Sequence, residues 1–520
     1  MEEIITTAIK SVVAEKEKKI SAKLELVQHL LEAMHKRELL YCHWKSNEHL
    51  GASMTGDTDL DILFDYRQKE AAYLVFQDLG FRRFDAIPQK QYKDIEDFIG
   101  LDLPSGRIVH LHAHFKLTMG ETYLKGYQLE IESKILESRV FDKEFSIYRS
   151  NPSFELILLF FRESLKLRHR DIVKMYLGKK LEYPANILRE FHWLKQRCTN
   201  HDIEVGLHKI VKSPQAIYQL LIGEFNKKQV YLLSELVKKE FRHRRLYSPT
   251  GALLGRWYRE ALLYYHRKRS QVFDGPFVTK RVHPDTGLVV AVVGADGSGK
   301  STVIANLEKT FSKKLDVYKI YFGKGRAGGL SWPRRMLVGF KKKVTKRNQS
   351  TEEVKISSNG GSVPKSFKQQ LFYGIEALIV AFEKHNKFKK MHAAKKKGLL
   401  VICDRFPQNQ VAGLNDGPVL QPYLTSKNLL IKWMAKKEAG MYTRFESHTP
   451  DLVFKLIADA KTIQARKQIT ARMEVLEAKV EGIRNLQFTE KCRVIPIDAT
   501  QPLESILFQV KKEIWASFSN

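Results

Sequence analysis

Eight consecutive residues, Gly294-Ala295-Asp296-Gly297-Ser298-Gly299-Lys300-Ser301, carry the spacing G-x-x-x-x-G-K-[ST]. Gly294, Gly297 and Gly299 let the backbone wrap a phosphate where a Cβ would collide. Lys300 supplies positive charge for the β- and γ-phosphates. The Ser301 hydroxyl suits Mg²⁺, and Ser298 and Thr302 complete the cradle. Three more groups stand near strand ends. Asp404 and Arg405 follow the apolar run Leu399–Cys403. Asp404 suits Mg²⁺ held through water, and Arg405 a bidentate clamp on an acceptor phosphate; a plain salt bridge is the alternative. Arg466 and Arg472, with Arg484 beyond, follow the run Pro450–Leu456. They suit a flap over a transferring phosphoryl group, or are solvated helix charges. The backbone at Ile497-Asp498-Ala499-Thr500 suits the base of a bound nucleotide.

A different chemistry stands near the N-terminus. In Gly56-Asp57-Thr58-Asp59-Leu60-Asp61, alternation puts Asp59 and Asp61 on one face of one strand. Such a pair holds one or two Mg²⁺ ions and suits in-line phosphoryl or nucleotidyl transfer. His110, His112 and His114 also alternate, which fits either a metal or phosphate cluster or hydrogen-bonded, half-buried rings.

Period and punctuation suggest which elements hold these groups. A helical pattern covers residues 1–40. A strand at Leu60–Phe64 leads into a helix over Ala71–Leu79. Two strands, Phe98–Leu103 and Arg107–Phe115, flank Pro104-Ser105-Gly106 and form a hairpin. Residues 153–270 read as mostly helical, starting after Asn151-Pro152. A boundary falls at 270–286. Beyond it, buried strands are expected at Leu288–Val293, Val317–Phe322, Leu399–Cys403, Leu452–Ile457 and Val494–Ile497, with helices between. The expected fold there is α/β, a parallel sheet with helices on both faces; the N-terminal part is expected to be α+β. Residues 326–366, rich in Gly, Ser and Lys, are expected to be a mobile loop with one basic helix at Pro333–Lys343. The domains are thus 1–150, 151–286 and 287–520.

Composition bounds the partners. The chain has 520 residues, 88 Lys+Arg against 58 Asp+Glu, and a formal net charge of +30, which favours anionic partners. The four cysteines, Cys42, Cys198, Cys403 and Cys492, are scattered, against a zinc ribbon or a disulfide framework. No signal-peptide pattern opens the chain, and no apolar run nears the ~20 residues that span a bilayer, so a cytoplasmic location is expected. The longest run, Leu371–Phe382, fits a buried helix.

From Gly287 onward the chain resembles the thymidylate kinase family of nucleoside monophosphate kinases. The resemblance rests on G-x-D-G-x-G-K-[ST] with Asp296 at its Asp position, on Asp404-Arg405-Phe406, on Pro450-Asp451-Leu452 and on Asp498-Ala499. It implies ATP and Mg²⁺ as cofactors, acceptor-side roles for Asp296 and Arg405, a lid role for the later arginines, and a dimer. Residues Lys324 to Gly329, and those after Pro407, depart from the family's acceptor-binding segments and leave the acceptor open.

The N-terminal part resembles a minimal nucleotidyltransferase of the polymerase-β type, through Asp59-x-Asp61 and the upstream Ser46. Lys45 stands where that family has glycine, and histidine stands where a third carboxylate is expected, with Asp102 as substitute. Three readings follow. The first is an ATP- and Mg²⁺-dependent phosphotransferase acting on a nucleotide or a small phosphorylated acceptor. The second is a nucleotidyltransferase working through Asp59 and Asp61, with the P-loop part as supplier or regulator. The third is a nucleotide-sensing module that docks on an anionic surface through the basic segment 330–350. Nucleic-acid binding is not expected, since the basic runs lack interleaved aromatics.

Overall fold

The computed structural model describes residues 23–177, 182–272, 275–323, 366–410, 418–467 and 473–518. The basic segment 330–350, its expected helix, Lys324 and Arg472 lie outside the described residues. The chain divides into two compact units. The first runs to residue 273 and includes 279–281, and the second takes up most of the rest.

The first unit is built on a mixed sheet. Its strands are β1 (Tyr41–His43), β2 (Leu60–Phe64), β3 (Arg82–Ala86), β4 (Ile95–Asp102) and β5 (Arg107–His114), with Val140–Asp142 and Ile147–Arg149 beyond β1. The order β3-β4-β5-β2-β1 puts β5 between an antiparallel partner, β4, and a parallel one, β2. Alternation then sorts side chains between the two faces. One face packs Leu60, Ile62 and Phe64 against Val27, Leu30 and Leu31 of helix Glu25–Lys36 and Val75 and Phe76 of helix Lys69–Asp78. Cys42, Trp44 and Leu63 join a second core with the helix Pro152–Lys166, whose Leu156 to Phe161 are all buried. That helix starts where Asn151 accepts a hydrogen bond from Ser153 N, with Pro152 at its first turn. Helices from Ala185 to Glu240 pack on the same core through Leu194, Ile203, Leu207 and Leu233.

The second unit is α/β, with a parallel sheet and helices. Its strands are β6 (Leu288–Gly294), β7 (Val317–Tyr321), β8 (Leu400–Asp404), β9 (Leu452–Ile457) and β10 (Arg493–Asp498), in the order β7-β8-β6-β9-β10. Residues Leu288 to Val293 are all buried, as a central strand covered on both faces requires. Ala381, Phe388 and Met391 of helix Phe367–Lys396 and Tyr442 and Phe445 of helix Leu429–Ser447 share a core with Val289, Ala291 and Val401. Helices Lys300–Phe311 and Leu503–Ala516 meet at Phe311 and Trp515, whose rings lie 6.3 Å apart. The apolar run at 371–382 is helical but not fully buried. Gly374, Ala377 and Ala381 face inward, while Phe372 and Phe382 are exposed. Among the described residues, no helix is long and apolar enough to cross a membrane.

Asp451, just before β9, ties two other elements together. Its Oδ2 accepts from Val289 N at 2.8 Å and its Oδ1 takes the Lys395 ammonium at 2.5 Å, so it clasps β6 to the long helix.

Candidate functional site

In the second unit, β6 delivers the chain to Gly294 at the centre of the sheet, and Lys300 opens the next helix. A Cβ at Gly294 would meet Ser298 Oγ at 2.5 Å and Leu456 O at 2.9 Å, so the turn admits only glycine there. Gly297 and Gly299 have φ of 100° and 92°, the left-handed backbone that lets successive N–H groups turn inward. Ser298 Oγ is buried with no hydrogen-bond partner. Lys300 Nζ donates to Gly294 O at 2.9 Å and Ala295 O at 2.7 Å. Burial, only partly offset by Asp296 3.6 Å away, pushes this ammonium down to about 8.

The register Val292↔Asp404 brings the end of β8 beside this loop. Arg405 has φ of 69° and donates through Nη2 to Asp296 Oδ1 at 2.5 Å. Asp296, Lys300 and Arg405 therefore form one charged cluster at the carboxyl ends of adjacent parallel strands, where open α/β sheets hold ligands. Asp404 Oδ1 is buried at the same edge. Ser301 and Thr302 are exposed on the first turn of the helix. The residues present fit a phosphate chain: a glycine cradle at a helix N-terminus, a buried ammonium and a hydroxyl. Of the later groups, Arg466 donates to Ala499 O at 2.8 Å, and Asp498 Oδ1 accepts from Thr500 N and Oγ1 at 2.9 and 2.6 Å. Arg466 thus ties its helix to the turn after β10. Arg484 pairs with Glu481 at 3.6 Å.

In the first unit, the registers Asp61↔His112 and Asp97↔His112 set three polar groups in one row across β2, β5 and β4. His112 Nδ1 lies 2.9 Å from Asp61 Oδ1. His110 bridges two carboxylates, with Nδ1 at 2.8 Å from Asp59 Oδ1 and Nε2 at 2.7 Å from Asp97 Oδ1. His114 Nε2 lies 3.5 Å from Asp61 Oδ1. Lys45, on the loop after β1, reaches Asp61 Oδ1 at 3.0 Å, and Arg281 reaches Asp97 at 3.1 Å.

Burial disfavours charge on Asp61, yet Lys45 and then His112 and His114 outweigh it and hold the carboxyl well below its ordinary range. Burial likewise opposes ionisation of Asp97, but His110 and His112 outweigh it and lower its pKa. Burial disfavours charge on His110, but the nearby Asp59 and Asp97 carboxylates outweigh it and raise its pKa. Burial dominates at His112 and His114 and lowers both.

Asp97 brings a third carboxylate to this cluster. Asp102 is not its substitute, because it is buried at the hairpin end, accepting from Leu26 N at 2.8 Å and Ser105 Oγ at 2.5 Å. The loop carrying Lys45 is fixed from beneath. Asn47 Nδ2 donates to Glu155 Oε2 at 2.7 Å and its backbone N–H donates to Glu155 Oε1 at 3.0 Å. Glu155 is pushed up to about 7, chiefly by burial.

Lys125 is close enough to feel the charges of Lys45, Asp61 and Asp97. Its backbone is left-handed, with φ of 48°, and its Nζ lies 4.3 Å from the centre of the Tyr92 ring. Burial, then the charge of Lys45, pushes it down to about 7. Because folding lowers this pKa, the folded state sheds a proton that the unfolded chain keeps, and stability falls as pH drops from the unfolded value through about 7. Replacing Lys125 with Met is expected to stabilise the unit, on the order of 2 kcal/mol at pH 6 and less at pH 9. Thermal unfolding at both pH values checks this, and an equal shift at both would refute the charge assignment.

No protein-family model matches the chain. It is 28% identical over 235 residues to the "Uncharacterized ATP-binding protein YghS" of Escherichia coli K12, covering 44% of this chain and 94% of that protein. It is also 26% identical over 231 residues to the "Uncharacterized ATP-binding protein YghR" of the same strain, covering 44% of this chain and 86% of that protein. The chain is therefore similar, over less than half its length, to two Escherichia coli proteins whose names say that they bind ATP.

Proposed function

We propose that the chain is an ATP- and Mg²⁺-dependent phosphotransferase of thymidylate-kinase-like type, acting through its second unit on a nucleotide or another small phosphorylated acceptor. One observation carries the reading: the Gly294–Ser301 cradle and the Asp404-Arg405 strand end meet at Asp296, through its 2.5 Å contact with Arg405. Donor and acceptor groups thereby share one edge of the sheet. The names of the two Escherichia coli relatives agree with ATP as the donor.

Each residue has a physical role. The N–H groups around Gly297 and Gly299 hold the donor's phosphates, and Lys300 exchanges its two carbonyl partners for phosphate oxygens. Arg405 binds the acceptor's phosphate, releasing Asp296 to orient the acceptor. Mg²⁺, held near Ser301 and Asp404, would neutralise charge developing between the β- and γ-phosphates. Arg466 is tied to Ala499 O, so a part in transfer would need it to leave that partner.

The test is a screen with γ-labelled ATP across nucleoside monophosphates, sugars and sugar phosphates. Label is expected on one phosphorylated acceptor. Absence of acceptor-dependent label transfer across the whole panel overturns the reading.

A second reading has its own observation. Asp59, Asp61 and Asp97 flank one histidine row, with Lys45 paired to Asp61 and Lys125 within range of their charges. That arrangement supports nucleotidyl transfer in the first unit, the carboxylates holding Mg²⁺ and the lysines facing a triphosphate.

A further inference from the structure

In the first unit, three donors converge on a single oxygen. Asp61 Oδ1 is 3.0 Å from Lys45 Nζ, 2.9 Å from His112 Nδ1 and 3.5 Å from His114 Nε2. The two ring nitrogens also face each other, 3.3 Å apart. Hydrogen bonding alone leaves this crowded. If both rings direct N–H at the carboxylate, two protons point into one small space beside an ammonium. If one ring turns its lone pair inward, a contact with Asp61 is lost.

A bound cation resolves the conflict, because all three atoms can then offer electron pairs to one centre. Their spacing suits it. The separations of 2.9, 3.3 and 3.5 Å bracket the roughly 3.3 Å expected between donors of a tetrahedral site with bonds near 2.0–2.1 Å. The frame is rigid as well. Asp61 is on β2 and both histidines are on β5, held in parallel register. His114 is 1% exposed, and its ring packs edge-on to Trp44 at 5.1 Å. On the far side of His112, Nε2 lies 3.9 Å from Asp97 Oδ1, beyond hydrogen-bond reach but near enough for the carboxylate's charge to favour a cation on the ring.

We propose that Asp61, His112 and His114 form a binding site for one divalent transition-metal ion of the Zn²⁺ or Co²⁺ class. Two imidazoles and one carboxylate select such an ion over Mg²⁺, which prefers oxygen ligands. The proposal rests on neither the phosphotransfer nor the nucleotidyl-transfer reading. Lys45 acts as the built-in competitor: its ammonium holds the carboxylate when the metal is away and must withdraw on binding. Its side chain is 24% exposed and lies on a loop, so it has somewhere to go.

The test uses the full-length, tag-free protein, stripped with a chelator. Co²⁺ is followed by its visible ligand-field absorption, and Zn²⁺ and Mg²⁺ by calorimetry. The protein is expected to bind one equivalent of Co²⁺ or Zn²⁺, with Mg²⁺ at least 100-fold weaker. His112→Gln and His114→Gln should each weaken Co²⁺ binding at least 10-fold, while His110→Gln should retain it. Lys45→Met should tighten it at least 10-fold. His112→Gln guards against misfolding of the deeply buried His114 variant, and thermal unfolding checks each protein. The chain has 17 histidines, so the absorption must follow these residues. A Co²⁺ signal unchanged in both the His112 and His114 variants overturns the proposal. So does the absence of stoichiometric binding in both the wild type and Lys45→Met.

Discussion

Lys300→Met is expected to lower kcat/KM for acceptor-dependent ATP turnover by about 10²–10³-fold, the loss seen when one preorganised donor to developing charge is removed. The reason lies in how the ammonium is held. It is 6% exposed and held by two carbonyls, 2.9 and 2.7 Å away. Burial has pushed it down to about 8, so its charge costs free energy that a phosphate chain at Lys300 would offset. This fixes a second, independent sign. Because the folded pKa is depressed, Lys300 contributes least to stability at low pH, and Met should leave the unfolding temperature unchanged or raise it near neutrality. A dead but equally stable variant marks Lys300 as functional. An inactive variant with a large loss of stability would show a structural lysine, and full turnover would remove the P-loop from the reaction. Arg405→Met offers a contrast. Its partner Asp296 is half exposed, and its loss should raise the KM for the acceptor more than the KM for ATP.

How much of this was visible in the chain depends on how local the signal is. The five strands of the second unit are short runs between helical patterns, and each lies within a residue or so of its expected place; only β6, β8 and β9 are buried as expected, because β7 and β10 form the edges of the sheet and leave most of their residues half-buried or exposed. The glycine cradle was equally legible, since its conformation is written into three glycines. The N-terminal cluster was legible only in part. Asp59, Asp61 and the three histidines show through simple alternation. Asp97 did not, because its role depends on pairing between strands. The hairpin held the clue: with Asp102 opposite Arg107 across the turn, Asp97 must face His112. Asp102 and Asp97 are five residues apart, so they point to opposite faces, and only one can enter the site. Lys45 looked like a lost glycine, whereas in the fold it is the cation nearest Asp61. Nothing local marks Lys125, whose pKa is lowered by burial in the fold and then by Lys45, distant in sequence. Asp451 read as a family landmark and proves to be a clasp between β6 and the long helix.

Asp61→Asn should give the second large effect, and its sign separates two views of the N-terminal cluster. A site made mainly of repelling carboxylates gains stability when one is neutralised. Here every carboxylate is matched: Asp61 by Lys45 and His112, Asp59 by His110, and Asp97 by His110 and Arg281. The Asp61 side chain is 14% exposed, and its pKa is held well below the ordinary range despite burial. With a depressed folded pKa, the carboxylate contributes stability above its unfolded value, and that contribution is lost as pH falls through the folded one. Asn keeps the shape but leaves the Lys45 ammonium without its counter-charge, so a loss of about 1–3 kcal/mol at pH 7 is expected, shrinking in acid. Pyrophosphate release from nucleoside triphosphates, if this unit transfers nucleotidyl groups, should fall at least about 100-fold in Asp61→Asn and persist in Lys300→Met. A rise in unfolding temperature would show that repulsion dominates the cluster. Unchanged pyrophosphate release in Asp61→Asn would remove nucleotidyl transfer from this unit and leave the cluster to its ion-binding chemistry alone.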